Sequence, residues 1–557
     1  MEYKKLVGVY DKLEKTTKRL EKRDIIAEIL RECKEDELDK VVYLLQGRVF
    51  PQFDERKIGM SSRLILKVIS KVSGETVNEI EKQWKKIGDL GEVAAFLVQK
   101  KKQATLKSGS KLTIHKVFGN LLKLSELEGE GTVGRKIDLV SELIANASPV
   151  EAKFIIRTVL EDLRVGVAEG VLRDAIALAY NVDVKTVEKA FDVLVDYGEV
   201  AKRAKEKKLS GLGLVIGRPF KVMLAIKVNN IEEAFDEVGK PALFDYKLDG
   251  FRVTIHKSND KIKLFTRKME EVTKQFPEVI YLIKENVKAK KCILDSEFVG
   301  YDKKTGKYLP FQNISQRIKR KYDIENTAKK FPVEINVFDI LNYEGKDLKD
   351  EKQLERRNLL EKIIKEKDKK IVLTKKLITD DVSKAKEFFE ESLKAGNEGL
   401  IAKKLDAVYQ PGRRVGGWVK LKSVMDNLDL AIIGAEWGRG KRVGFLSSFV
   451  LGCKKGNEFL ECGMIGTGIK EKSEEGVSFK QLTKLLKPLI NKEEGRKVKI
   501  KPKIIIEVGY EEIQKSPTYN SGYALRFPRV LRLREDKPLS EIVDLKQIEK
   551  LYRGQRK

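Results

Sequence analysis

The sequence predicts a multidomain chain: an all-α N-terminal domain over residues 1–217, an α+β domain over 218–421, and a C-terminal β-barrel over 422–557. Three observations predict it. At 557 residues the chain exceeds one hydrophobic core, and ordinary domain sizes suggest roughly three or four. Apolar residues recur at three- and four-residue spacing up to about residue 210, the period of amphipathic helices. Beyond that point short β-rich runs appear, first mixed with helical segments and then almost alone.

The N-terminal part reads as helices throughout, most clearly in Val184-Lys185-Thr186-Val187-Glu188-Lys189-Ala190-Phe191-Asp192-Val193-Leu194. Glycine turns at Gly129-Glu130-Gly131 and Gly166-Val167-Ala168-Glu169-Gly170 lie beside Arg135, Lys136 and Arg164. There backbone N–H groups could approach a phosphate, although helix-capping turns would read the same way. The run Lys100-Lys101-Lys102-Gln103, with 104–110, predicts an exposed loop. The charge run 202–208 and then Gly211-Leu212-Gly213 predict a domain boundary near 210–220.

In the middle part, strand-like runs at 263–266, 292–294 and 333–338 alternate with helical segments such as 352–365. After Asp426 short strands at 428–435, 445–453, 459–465 and 504–508 surround a single helical stretch at 478–490. Several short strands with one helix suit a small barrel such as an OB-fold.

Composition narrows the chemistry. The formal net charge is +28 and the pI near 9.5, which suits a polyanionic partner. A Lys-rich surface from a charge-rich, thermophilic background would give the same figures. No stretch of about 18 apolar residues is present and the N-terminus has no apolar signal core, so a soluble, cytoplasmic protein is expected. Cys33, Cys292, Cys453 and Cys462 show no metal-binding spacing, and His115 and His256 are the only histidines. Catalysis must therefore run on Lys, Arg, Asp and Glu.

The strongest local signal is Tyr246-Lys247-Leu248-Asp249-Gly250-Phe251-Arg252. A lysine attacks phosphorus only as a neutral amine, and at an ordinary pKa roughly 1 in 2,000 is neutral at pH 7. Neighbouring cations or desolvation must supply the shift. Arg252 offers one charge, and Gly250 permits a turn that brings it back over the same pocket. A plain surface turn could carry the same letters. In Trp418-Val419-Lys420-Leu421-Lys422, strand alternation puts Lys420 and Lys422 on one face. Ile293-Leu294-Asp295-Ser296-Glu297 ends an apolar strand in carboxylates. In Glu398-Gly399-Leu400-Ile401-Ala402-Lys403, both charged residues can face one site only if Glu398 lies in the turn before the strand.

These motifs, in this order, resemble the covalent nucleotidyltransferases, and the whole chain resembles the archaeal ATP-dependent DNA ligases. The resemblance implies that Lys247 is the nucleophile that takes up AMP. It also implies nucleotide-binding roles for Arg252, Arg267 of Phe265-Thr266-Arg267-Lys268-Met269-Glu270, Glu297, Phe338, Lys403, Arg414, Lys420 and Lys422. Phe338 would stack on adenine, and Glu297 and Glu398 would hold Mg²⁺. In Arg526-Phe527-Pro528-Arg529-Val530-Leu531-Arg532-Leu533-Arg534-Glu535-Asp536-Lys537, the residues Arg529, Arg532 and Lys537 would orient the outer ATP phosphates.

Asp245 departs from the family, which usually carries Glu two positions before the nucleophile to contact the adenine amino group. Related ligases carry a sliding-clamp peptide with aromatic anchors near Gln103. The residues 103–108 lack those anchors, which leaves the clamp an open partner.

The expected reaction seals nicks in duplex DNA through lysyl-AMP and DNA-adenylate, by a monomer acting in replication, repair and recombination, with ATP and Mg²⁺. Capping guanylyltransferases and RNA ligases share the lysine motif but not the helical N-terminal part. An NAD-dependent ligase would bring a four-cysteine zinc site, and a non-catalytic DNA clamp would not need the motifs.

Overall fold

The amphipathic pattern of the first two hundred residues is realised as helices. The computed structural model describes residues 1–557 except 55, 105–110, 128, 130, 310–313, 315–316, 319–321, 423–426, 439–441, 443, 472–475 and 556–557, with the backbone alone at 101–104 and 415–416. Helices run from Tyr3–Lys15 to Tyr197–Lys205 and share one apolar core. The helix Val184–Leu194 shows how the sequence sets them. Asp183 caps it by accepting from the Thr186 amide, Val187, Ala190, Phe191 and Leu194 face the core, and Val195 ends it in the left-handed region.

One run expected to be a loop is partly helical. Lys100 and the backbone of 101–104 complete the helix Leu90–Ala104, because Val93, Ala94, Leu97 and Val98 bury one face of it. The remainder of the expected loop, 105–110, and the Gln103 side chain lie outside the described residues, so the clamp segment does too. Lys202, Arg203 and Lys205 form the last turn of the helix Tyr197–Lys205, where positive charge suits the helix dipole.

Beyond the helices the strands are β1 (Leu224–Val228), β2 (Ala242–Lys247), β3 (Phe251–Ser258), β4 (Lys261–Thr266), β5 (Lys291–Gly300), β6 (Val333–Tyr343), β7 (Lys346–Asp347), β8 (Ile371–Leu373), β9 (Lys376–Thr379), β10 (Gly399–Lys404) and β11 (Arg414–Lys422). They form two sheets, ordered β1-β11-β10-β2-β9 and β4-β3-β5-β6-β7, with β8 parallel to β6. The second sheet packs its apolar face on the helices Pro277–Asn286 and Gln353–Ile363.

The C-terminal strands are β12 (Leu428–Trp437), β13 (Leu446–Lys455), β14 (Glu458–Ile465), β15 (Ile490–Glu494), β16 (Lys497–Ile500), β17 (Ile505–Gly509), β18 (Glu512–Lys515), β19 (Tyr523–Arg526) and β20 (Arg529–Leu533). Strand β12 pairs with β13 along one edge, and with β17 and then β16 along the other. Bulges at Ile432/Gly434 and Glu436/Trp437 bend it between these partners. The strand-rich part expected from the sequence is present, but among the described residues its pairings do not close into a ring. It also holds a second helix that the sequence reading omitted, Leu545–Gly554, started by an Asp544–Gln547 capping box.

The chain gathers into two compact units that do not follow chain order. One comprises Met1–Ile226, Asp249–Lys375 and Lys403–Trp418, the other Lys227–Leu248, Lys376–Ala402 and Val419–Lys557. Among the described residues no helix is long and apolar enough to cross a membrane.

Candidate active site

The sequence-predicted residues fall into two groups, one in each unit. The first contains Lys247, the last residue of β2. Its ammonium pairs with Glu398, and its carbonyl accepts the Glu398 amide at 2.8 Å. Glu398 stands just before β10, the position the sequence asked of it if it and Lys403 were to face one site. Gly399 makes that position possible: its φ is 144°, and a Cβ there would lie 2.1 Å from the Leu421 carbonyl oxygen. No side chain fits so close to a neighbouring strand.

Lys422, at the end of β11, is 2.9 Å from the same Glu398 carboxylate and 2.8 Å from Glu511. Burial by itself would raise the Glu398 pKa, but the Lys247 and Lys422 charges outweigh it and bring it down to about 2. For Lys422, burial is opposed by Glu398 and Glu511, and its pKa is raised. Lys420 lies two residues away on the same strand and is half-buried. Asp245 is buried on β2 in register with Lys376.

The second group is built on β3, β5 and β6. Arg252 forms a two-pronged ion pair with the fully buried Asp295, at 2.9 Å from Nε and 2.6 Å from Nη2. It also donates to the Met223 carbonyl at 2.7 Å and to the Tyr409 hydroxyl at 3.1 Å. Burial disfavours its charge, yet Asp295 reverses the balance and raises its pKa. Gly250 is needed for close approach, not for a left-handed turn: a Cβ there would meet the Phe298 carbonyl oxygen at 2.3 Å.

Phe338 is the partly exposed residue in the buried run 333–342 of β6, so its ring is accessible from one side. Trp418 meets it edge-on at 6.1 Å. The Lys403 ammonium lies 4.9 Å from the Phe338 ring and 4.4 Å from the Trp418 ring, within cation–π range. Glu297 sits opposite Arg252 in the β3–β5 register. Arg267 and Arg414 are exposed. Desolvation lowers the Arg267 pKa, and the positive charges of Arg252 and Arg414 lower it further, against Glu297. This group is thus an aromatic face bordered by several cations.

In the tail, Arg529 is exposed and opposite Gly509 on β17, while Arg532 pairs with Glu507. Lys537 and Arg534 share Asp429 at 2.7 and 2.8 Å. The sequence reading missed Tyr409 and Glu511. Neither lies in a local pattern, because each acquires its role from a partner far along the chain.

With this geometry in place, comparisons identify the chain's relatives. Models described as DNA ligase N terminus, ATP dependent DNA ligase domain, and ATP dependent DNA ligase C terminal region match residues 2–177, 222–422 and 442–537. A DNA ligase of Nanoarchaeum equitans is 48% identical, covering 100% of this chain and 99% of the relative. Those of Thermococcus onnurineus and Methanopyrus kandleri are 43% and 40% identical, covering 100% and 99% of this chain and 98% and 99% of theirs. The solved structure named Pmar-Lig_PreS3 shares the fold, with a TM-score of 0.56 at 17% identity over 95% of this chain and 99% of that one. The helical N-terminal part, the lysine-bearing central domain and the basic strand-rich tail together make this chain a member of the ATP-dependent DNA ligase family.

Proposed function

We propose that Lys247 is the residue through which this ligase takes up AMP. The observation that carries the reading is the Lys247–Glu398–Lys422 cluster, in which a strongly acidic carboxylate holds the motif lysine beside a second lysine suited to a phosphate. The Lys247 ammonium first loses its proton to solvent. Its Nζ lone pair then attacks the α-phosphorus of ATP, forming a P–N bond as the bond to the bridging oxygen breaks; pyrophosphate leaves with the electron pair and the nitrogen releases its surplus proton to solvent. Lys422 and Lys420 bind phosphate oxygens. An oxygen of the nick's 5′-phosphate then attacks the same phosphorus, the P–N bond breaking as the lysine takes back a proton, and the 3′-hydroxyl attacks the 5′-phosphorus, giving up its proton as AMP leaves.

Phe338, backed edge-on by the buried Trp418, offers the adenine an aromatic surface. Arg252, Arg267, Glu297, Lys403 and Arg414 complete the nucleotide-binding set, with Asp245 as a base-selecting carboxylate. Arg529, Arg532 and Lys537 handle the outer phosphates, which requires Arg532 and Lys537 to leave Glu507 and Asp429.

Mg²⁺ fits the donors present only as an ion that arrives with the nucleotide. Among the described residues no group of three His, Cys, Asp or Glu side chains could hold a metal by itself. Mg²⁺ commonly takes one or two carboxylates and fills its shell with phosphate and water. Glu398 and Glu297 would be those carboxylates, and the ion would supply positive charge that offsets the phosphates. Glu398, freed from Lys247 by such a ligand, would no longer hold the lysine as its ammonium partner.

The wider reading assigns 1–217 to DNA binding, 218–421 to adenylation and 422–557 to an OB-fold. It makes the enzyme a cytoplasmic, nucleoid-associated monomer working on nicked duplex in replication, repair and recombination. Incubation with α-labelled ATP tests the core of it. The chain should acquire a covalent label that Lys247→Ala abolishes; a label retained by that variant would overturn the assignment.

A further inference from the structure

The arginine of the lysine motif does not stand as a free cation, and two of the three groups that hold it, Met223 and Tyr409, lie outside every motif the sequence displays. Four N–H donations from Arg252 are accounted for by Asp295, Met223 and Tyr409. Tyr409 is buried, and its hydroxyl is used to capacity. It donates to Asp295 Oδ2 at 2.9 Å and accepts from Arg252 Nη2 at 3.1 Å and from the Met223 amide at 3.0 Å. One donor proton and two lone pairs are all a phenol has. Its ring is fixed edge-on against Trp418 at 5.7 Å and Phe220 at 6.3 Å.

The segment that carries Tyr409 is itself anchored on the helical part of the same unit. The Gly412 amide donates to the Lys221 carbonyl at 2.8 Å, and the Lys221 amide to the Asp192 carbonyl at 2.9 Å. Arg413 pairs with Glu188 at 2.9 Å. Gly412 lies so close to Asp192 that an added Cβ would fall 2.4 Å from its carboxyl carbon. The helix Val184–Leu194 therefore holds the 409–413 segment at its end, and Tyr409 passes that placement on to Arg252.

We propose that Tyr409 is a positioning residue for nucleotide binding: its hydroxyl fixes the direction of the Arg252 guanidinium, and the helical part of the chain fixes Tyr409. The proposal rests on the reading of Arg252 as a nucleotide contact. With Asp295 neutralising its charge, Arg252 acts as a directed hydrogen-bond donor, so its orientation matters more than its charge. Loss of the hydroxyl leaves Arg252 ion-paired but free to tilt, and leaves the buried Met223 amide without its acceptor.

The test is the ATP dependence of self-adenylation in the full chain, with thermal melting recorded alongside. Tyr409→Phe should raise the KM for ATP about tenfold while the rate at saturating ATP stays within about twofold, a split that general destabilisation would not produce. Arg252→Lys serves as the control on the underlying reading. A raised KM in Arg252→Lys with an unchanged KM in Tyr409→Phe overturns the positioning role alone. An unchanged KM in both removes the nucleotide role of Arg252 and the proposal with it. Should Tyr409→Phe not fold, Arg413→Gln decides: releasing the segment from Glu188 should raise the KM in the same direction by a few-fold, and an unchanged KM overturns the proposal.

Discussion

At the scale of single residues, the central object is a carboxylate shared by two lysines. Glu398 sits at a pKa of about 2 against an ordinary 4.5, because Lys247 and Lys422 outweigh the effect of its burial. A carboxylate lowered in the fold stabilises it above its unfolded pKa and loses that contribution as pH falls through the folded value. Glu398→Gln should therefore flatten the fall in melting temperature between about pH 4.5 and pH 2. It should also lower the rate of self-adenylation at least tenfold, since the amide cannot bind a cation as the carboxylate would. A variant with a wild-type acid limb would show that the cluster carries no such energy.

At the scale of elements, two close backbone approaches deliver the side chains. Gly399 puts β10 against β11 with no room for a Cβ, which fixes Glu398 just ahead of the strand. Gly399→Ala should cost about 3 kcal/mol, from strain at an unfavourable φ and a clash with Leu421. Adenylation should fall with it; urea unfolding and ATP labelling would measure the two losses. The second element is the Asp192 contact with the 409–413 segment. Burial raises the Asp192 pKa to about 6, against the attraction of Lys221. A carboxyl raised in the fold gives stability that is complete below its unfolded pKa and disappears as pH rises through the folded value. Asp192→Asn should therefore remove a decline in melting temperature between about pH 4 and pH 6, and a variant with the same slope would contradict that.

Much of this was legible in the sequence, because periodicity and glycine placement are local. The helix 184–194 and the strand that carries Lys420 and Lys422 follow from residue spacing, while the position of Glu398 ahead of β10 was one that spacing left conditional. Arg252 was legible as a charge five positions after the lysine in the chain, but its Asp295–Tyr409 cage was not. Tyr409 lies far from Arg252 in the chain, and no spacing rule joins them. The helix Leu545–Gly554 was overlooked because its short, highly charged sequence reads as a tail until the Asp544 cap is recognised.

At the scale of the whole molecule, the dominant quantity is charge. A net +28 spread over a ligase whose partner is nicked DNA predicts sequence-independent, counterion-driven affinity. The logarithm of the association constant for a nicked duplex should fall linearly with the logarithm of salt concentration, with a slope set by the number of phosphates contacted. Affinity should drop by a factor on the order of a thousand or more between 50 and 200 mM salt if six to ten are engaged. A salt-insensitive affinity, measured by fluorescence anisotropy, would show that the positive surface serves some other purpose.

The proposed chemistry turns on Lys247 as the residue that carries AMP. The direct measurement is mass spectrometry of proteolytic peptides after incubation with ATP and Mg²⁺, without DNA. The expected result is a single acid-labile AMP adduct on the peptide containing Lys247, discharged when nicked duplex is added. An adduct on Lys403, Lys420 or Lys422, or sealing by a chain that never forms one, would contradict it.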